Sequence, residues 1–285
     1  MQFIKLIGCA LIIIIAYLFL FLNNSNTIVN IDHDFKTLSN KQQKEKALFV
    51  SRDVSIKYVI DGDTVVLENG DKCRLSGIDS PEFYHGQKLS EPFAIQSKKR
   101  LSELVKNKKI KLIFQKDNKF DKYKRLLCLL FDGKKFINGV LVKEGLAYVY
   151  TGFDHPYLSL LKKNEKLAQS NKINLWDSTI KQQYFNLHSP KINDFDLIKK
   201  SGDKVLVKGK IVNMKRFKYL IKFELKNNRN QKLNIFIRKA DLFHLKKFKS
   251  NKVISKKIMM IGKVVEYKNK FELNLRYPHH MQWLE

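Results

Sequence analysis

The chain has 285 residues and a formal charge of +28, from 55 lysines and arginines against 27 aspartates and glutamates. So large an excess calls for a polyanionic partner, either nucleic acid or an anionic membrane surface. Aromatics make up 12% and no low-complexity tract appears, which excludes a disordered basic tail; the three cysteines form neither a metal-ligand spacing nor a disulfide framework.

Met1 to Leu22 reads as a targeting segment. Lys5 is a minimal positive region and Leu6 to Leu22 is almost purely apolar. That run is long for a cleavable signal core and slightly short for a full span, unless Phe3 and Ile4 join it. No small-x-small cleavage site precedes Asn23-Asn24-Ser25, so residues 1–24 are expected to be an uncleaved signal anchor, with cleavage and secretion as the alternative. Leu6-Ile7-Gly8-Cys9 looks like a lipoprotein box, but the apolar run follows Cys9 and lipidation is discounted. Residues 25–49 form a polar tether.

Residues 50–180 are expected to be the first folded domain. Strands are predicted near Ser55–Ile60, Thr64–Leu67, Cys73–Ser76, Ile110–Phe114 and Leu126–Phe131, with helices over Ser90–Lys106, Ile137–Glu144 and Leu158–Gln169. Asp61-Gly62-Asp63 is a turn between two apolar runs, and Asn69-Gly70 is a hairpin signal. Asp79-Ser80-Pro81-Glu82 then breaks the sheet, because proline has no amide hydrogen to give. Asp63 and Asp79 lie at strand ends, where folding brings them together; paired hard oxygen ligands select calcium or magnesium. Glu82, beyond the proline, is placed to face the same pocket as a base that activates water. Arg74 offers a planar fork matched to phosphate oxygens. Lys98-Lys99-Arg100 reads as the solvated face of a helix covering the barrel, and Trp176 as a core plug. Cys73 and Cys128 are each an odd number of residues from an arginine in the same strand, so alternation puts both on the core face as buried thiols, with a disulfide possible outside the cytoplasm. His85 has no second histidine beside it to build a zinc site.

These motifs resemble the staphylococcal nuclease, or thermonuclease, family. The chain has the Asp61-Gly62-Asp63-Thr64 turn, the Arg74-Leu75 hairpin strand, Asp79-Ser80-Pro81-Glu82, Asp121-Lys122-Tyr123-Lys124-Arg125 and Gly145-Leu146-Ala147-Tyr148-Val149-Tyr150, in that order. The likeness runs from about Val54 to Trp176. It implies a calcium ion on Asp63, Asp79 and the Ser80 carbonyl. It implies Glu82 as general base or water orienter, and Arg74 and Arg125 on the scissile phosphate. Lys122 and Tyr123 would touch a terminal phosphate, and Tyr148 and Tyr150 would face bases. Serine replaces the family's threonine at position 80, of little consequence for a carbonyl ligand. Lys124 replaces a glycine, and lysine is strained if the backbone there needs positive φ.

Residues 181–203 read as a linker and 204–285 as a second unit. Strands are predicted over Val205–Val212, Tyr219–Leu225, Leu233–Ile237, Ile258–Val265 and Lys270–Arg276, with a helix over Asp241–Phe248 between the third and fourth. From Ser201 to Glu285 there are 22 lysines and arginines against 6 aspartates and glutamates, or +16. His279-His280 is expected at the surface. The fold class is therefore mostly β (α+β): a five-stranded barrel of the oligonucleotide-binding (OB) type with packed helices, followed by a smaller OB-like barrel. The second barrel lacks the catalytic motifs and reads as a nucleic-acid-binding accessory. The functional expectation is a calcium-dependent nuclease acting on DNA or RNA with little sequence specificity. It would be monomeric, with no protein partner inferable, and held by its N-terminal segment to a membrane, its catalytic domain outside the cytoplasm. The rivals are a membrane-tethered nucleic-acid receptor without turnover and a basic protein that binds anionic lipid.

Overall fold

A computed structural model describes residues 49–84, 90–117, 119–152, 155–177, 192–199 and 204–284, with 179, 180, 183, 185 and 202 between them. The expected anchor, the tether and His85 lie outside the described residues. Among the described residues no helix is long and apolar enough to cross a membrane.

The first unit is built on β1 (Phe49–Val54), β2 (Ile56–Val59), β3 (Thr64–Leu67), β4 (Lys72–Leu75), β6 (Ile110–Gln115) and β7 (Leu126–Asp132), hydrogen-bonded in the order β1-β6-β7-β4-β3-β2. β1 and β2 are two halves of one strand bent at Ser55; β1 pairs with β6 and β2 with β3, so the bend closes the sheet into a barrel. Only β4–β7 runs parallel among these pairings. The first half of the bent strand, Phe49–Val54, corrects the sequence expectation, which began the first strand at Ser55. Its inner residues are few, because four of its six positions are exposed, so it carries little alternation to read. Two short strands, β5 (Ile78–Asp79) and β9 (Tyr148–Val149), form a separate pair, and β8 (Lys135–Phe136) adds to β7.

Three helices pack on the barrel: α1 (Ala94–Val105), α2 (Ile137–Lys143) and α3 (Leu158–Ser170). Each falls where the sequence placed a helix, with α1 starting four residues later than expected. Leu101, Leu104 and Val105 of α1 join Leu75, Leu112, Phe131, Leu141 and Leu161 in one buried core.

The second unit repeats the topology. β10 (Lys204–Arg216), β11 (Leu220–Lys226), β12 (Lys232–Arg238), β13 (Lys257–Tyr267) and β14 (Lys270–Asn274) are ordered β10-β11-β12-β14-β13, and β10 pairs with β13 to close the ring. The pairing of third with fifth strand, β12–β14, is again parallel. Both barrels thus have one winding of five strands. A last strand, β15 (Met281–Leu284), lies on β13. The helix expected over Asp241–Phe248 is instead a run of 3-10 turns, Asp241–Phe243, Lys246–Lys249 and Asn251–Val253. Leu242, Leu245 and Phe248 are buried at a spacing of three, the period of a 3-10 helix and not of an α-helix. Phe195 and Ile198, expected in a linker, pack into the second core.

Cys73 and Cys128 lie on the neighbouring strands β4 and β7, fully buried, with Cα atoms 6.2 Å apart, and they are joined as a disulfide. Both face the core, as alternation required. The bond closes a loop of 55 residues through the barrel's one parallel pairing. Replacing both cysteines by serine should lower the unfolding free energy by about 2–4 kcal/mol in oxidising buffer. The natural protein should lose a similar amount on reduction. Equal denaturant midpoints with and without reductant would contradict the bond.

Candidate active site

The turn between β2 and β3 is held by its own residues. The Asp63 amide donates to Asp61 Oδ1 at 3.0 Å, and the Ile60 amide to the Thr64 carbonyl at 2.9 Å. A Cβ at Gly62 would sit 1.9 Å from Ser97 Oγ and 2.7 Å from Ser80 Cβ, so only glycine lets α1 and the segment after β5 close on the turn. Asp63 is thereby aimed inward, where its Oδ2 accepts the Ser80 amide at 2.6 Å and its Oδ1 the Thr64 hydroxyl at 3.0 Å.

Arg74, in β4, reaches between the two carboxylates the sequence paired. Its Nη2 lies 3.1 Å from Asp63 Oδ2 and donates to Asp79 Oδ1 at 2.9 Å, while Nη1 donates to the Leu75 carbonyl at 2.8 Å. Burial works against this charge, yet Asp63 and Asp79 together hold the guanidinium above the usual arginine range. Burial likewise opposes the Asp79 charge, but Arg276 and then Arg74 hold that carboxyl below the usual carboxylate range. Asp61, the third acid, is pushed up to about 7 by burial and by the neighbouring Asp63.

Glu82 is exposed at the rim of a cavity that also contains Asp79 and Ser80. Its backbone is fixed by a residue the sequence did not single out. Glu91 accepts the Glu82 amide on Oε2 at 3.0 Å and donates its own amide to the Glu82 carbonyl at 3.0 Å.

Arg125 precedes β7. The β4–β7 register sets Arg74 opposite Leu127, two residues beyond Arg125, which puts both arginines on one face of the sheet. Asp121 anchors the arginine: its Oδ2 lies 2.8 Å from Arg125 Nε and 2.7 Å from Nη2, and its Oδ1 accepts the Tyr123 and Arg125 amides. Lys122 and Arg125 approach the two-thirds exposed Tyr123 ring at 4.9 and 5.5 Å. Lys124 has φ +60°, the strained conformation expected of a lysine that stands in place of glycine.

The second barrel reaches into this site. Arg276 Nη2 lies 2.7 Å from Asp79 Oδ2, and the Tyr277 hydroxyl donates to the same oxygen. Lys204 pairs with Glu91, and His244 lies 2.9 Å from Glu165 of α3. Tyr148 departs from its expected role as a base-facing ring. It is 1% exposed, stacked 4.1 Å from Tyr277 and 5.0 Å from His279, so no base reaches its face in this arrangement. Tyr150 is half-buried, with the Arg238 guanidinium 5.6 Å from its ring. His279 and His280, expected at the surface, are buried, and His279 shares a hydrogen bond with the Tyr148 hydroxyl. Trp176 is not a plug of the first core but packs edge-on to Tyr148 at this seam.

The profile of the staphylococcal nuclease homologue family matches residues 72–178. The chain is 32% identical over 162 residues to the endonuclease YncB of Bacillus subtilis (strain 168), covering 55% of this chain and 74% of that protein. The chain belongs to the staphylococcal nuclease family. It is also 31% identical over 124 residues to the thermonuclease of Staphylococcus hyicus, covering 42% of this chain and 73% of that protein. With the SPbeta prophage-derived endonuclease YokF of Bacillus subtilis (strain 168) it shares 38% identity over 130 residues, and here the chain spans 44% of the relative's length. The matched segment runs from the start of β4 through the rest of the first barrel and its helices, and it contains Arg74, Asp79, Glu82 and Arg125, while Asp63, Arg276 and Tyr277 lie outside it.

Glu91, Asp121, Arg276 and Tyr277 are the site residues that sequence reasoning missed as such. Asp121 stood inside a quoted motif, where its acid next to an arginine was the available signal. Arg276 and Tyr277 act across separations of 197 and 198 residues, and Glu91 acts on Glu82 from nine residues away, beyond the motif that holds it. Lys124→Gly should relieve the positive φ without touching Asp121 or Arg125, raising stability by about 0.5–1 kcal/mol. A lower melting temperature for that variant would show that the lysine backbone is unstrained.

Proposed function

We propose that this chain is a divalent-cation-dependent nuclease, calcium before other ions, hydrolysing phosphodiester bonds of DNA or RNA with little sequence specificity. The observation that carries the reading is the convergence of Asp63 and Asp79 on Arg74, with Glu82 on the rim beside them. The names of its relatives, endonuclease and thermonuclease, support the reaction class.

The donor set suits a hard cation. Asp63 and Asp79 offer carboxylate oxygens, Asp63 bonded to the Ser80 amide, and Asp61, its pKa raised to about 7 by burial and then by Asp63, adds a third acid beside them. Among the described residues no three His, Cys, Asp or Glu side chains are arranged to hold an ion by themselves, so the Ser80 carbonyl and solvent or phosphate oxygens would complete the shell. A calcium ion bound there supplies Lewis-acid stabilisation of the phosphoryl oxygens. The rest of the chemistry falls to the chain. Glu82 orients a water and takes its proton. Arg74 and Arg125 stabilise the charge that grows on phosphate during attack. Lys122 and Tyr123, beside Arg125, hold a flanking phosphate. Because Arg276 is a cation on Asp79 Oδ2, it and a bound divalent ion compete for that oxygen.

Arg74 also braces the buried Asp63, so removing it leaves that carboxylate without its cation at a cost of about 3–5 kcal/mol in stability, while Asp79 keeps Arg276. Glu82, exposed and free of that duty, is the cleaner probe. We place the enzyme on a membrane through Leu6 to Leu22, with the catalytic domain outside the cytoplasm. Supercoiled plasmid offered to membrane and soluble fractions of expressing cells should be nicked by the membrane fraction with calcium and left intact with chelator. Glu82→Gln should lower turnover by about 10²–10³-fold, in the range seen when one transition-state interaction is removed. Undiminished nicking in chelator sinks the metal site, a wild-type rate for Glu82→Gln sinks its role as base, and activity confined to the soluble fraction sinks the tether.

A further inference from the structure

The second barrel has a groove of its own, sharing no lining residue with the cavity at Asp79. Phe217 and Tyr219 flank the tight turn from β10 to β11, Lys222 and Phe236 lie on β11 and β12, and Tyr267 ends β13 where it turns into β14. Three of these rings are unusually open to solvent: Phe217 at 50%, Tyr219 at 70% and Tyr267 at 52%. Each tyrosine has lysine ammonium groups near its ring, Lys218 at 5.1 Å from Tyr219, and Lys222 at 4.8 Å and Lys268 at 5.5 Å from Tyr267. Exposed aromatic area is costly in water and is kept where a partner covers it.

The place of the groove in the fold is informative. Both barrels wind in the same order, so their surfaces can be compared strand by strand. In the first barrel, the turn between first and second strands carries Asp61 and Asp63, the third strand carries Arg74, and the loop between fourth and fifth strands carries Lys122, Tyr123 and Arg125. In the second barrel the same three positions hold Phe217 to Tyr219, Phe236, and Tyr267 with Lys268. The corresponding face is retained, with rings and lysines where the first barrel has Asp61 and Asp63; the one carboxylate in its lining, Glu272, is paired with Lys222 at 2.7 Å. In barrels of this order, that face and those two loops form the surface on which oligonucleotides lie.

We infer that this groove is a binding site for single-stranded nucleic acid, with Phe217, Tyr219 and Tyr267 stacking on bases and Lys218 and Lys268 tracking the phosphates. Charge complementarity selects a polyanion, since residues 201–285 carry +16. Open ring faces select a single strand, because a duplex hides its base faces within the stack. The assignment does not depend on the nuclease reading, since it uses none of that site's residues.

The test measures fluorescence anisotropy of full-length protein with a labelled oligo-dT strand and with a labelled duplex of equal length, probe integrity being checked on a gel afterwards. Tyr219→Ala with Tyr267→Ala should weaken oligo-dT binding by at least about tenfold, as expected when base stacking is removed. Duplex affinity should change less than threefold, and the dependence on salt should keep its slope. Replacing the same tyrosines by tryptophan should preserve binding. Lys218→Ala with Lys268→Ala should instead flatten the salt slope by about 1.4, roughly 0.7 for each single-strand phosphate that the variant no longer neutralises. All four side chains are at the surface, so unchanged circular dichroism is the expected control. Wild-type oligo-dT affinity in the tyrosine variant would overturn the site. So would equal losses on strand and duplex. Loss of binding to anionic phosphatidylglycerol vesicles with oligo-dT affinity intact would reassign the groove to a membrane. Loss of self-association in sedimentation, again with oligo-dT affinity intact, would reassign it to a second copy of the chain.

Discussion

The Asp79 carboxylate is the constraint from which the rest of this molecule follows. Its side chain is only 13% exposed, and a carboxylate so far withdrawn from water is tolerated only with compensating charge and hydrogen bonds. One oxygen is met by Arg74 from within the nuclease barrel; the other is met by Arg276 and Tyr277 from the second barrel. Two cations from two domains thus share one acid with Asp63 close by. The stacked rings of Tyr148, Tyr277 and His279 build an apolar seam around that contact, joined by Leu175, Leu206 and Ile261. The two barrels are held together at Asp79, inside the proposed site.

On the proposed reading, labour is divided between two copies of one architecture. The first barrel spends its strand ends on carboxylates and guanidinium groups, the tools of phosphoryl chemistry. The second has rings and lysines at the equivalent ends, the tools of stacking and counterion release. It also lends Arg276 to its neighbour.

Local chemistry made much of this legible. The turn at Asp61-Gly62-Asp63, the Asn69-Gly70 hairpin and the proline after Ser80 each dictate backbone geometry from a few adjacent residues, and the pairing of Asp63 with Asp79 followed from them. Strand parity likewise placed Cys73 and Cys128 on the core face. The errors arose where the deciding interaction is distant. Nothing beside Arg276 or Tyr277 marks them as partners of an aspartate almost two hundred residues earlier. His279 and His280 are polar and lie near the chain's end, yet the seam with Tyr148 buries them. Over Asp241–Phe248 the apolar residues recur with a period of three in place of 3.6, a small difference over so short a segment, and it coils as 3-10 turns.

The claim that one carboxylate joins the two barrels is tested most directly by a double-mutant cycle on folding stability. Asp79→Asn, Arg276→Gln and the combined variant would be compared with the natural protein by denaturant unfolding, in chelator so that no metal intervenes. The account predicts a coupling energy of about 1.5–3 kcal/mol, the range for a hydrogen bond between charged groups. Additive losses, with coupling below about 0.5 kcal/mol, would mean that Asp79 and Arg276 act independently and that the seam does not depend on their contact.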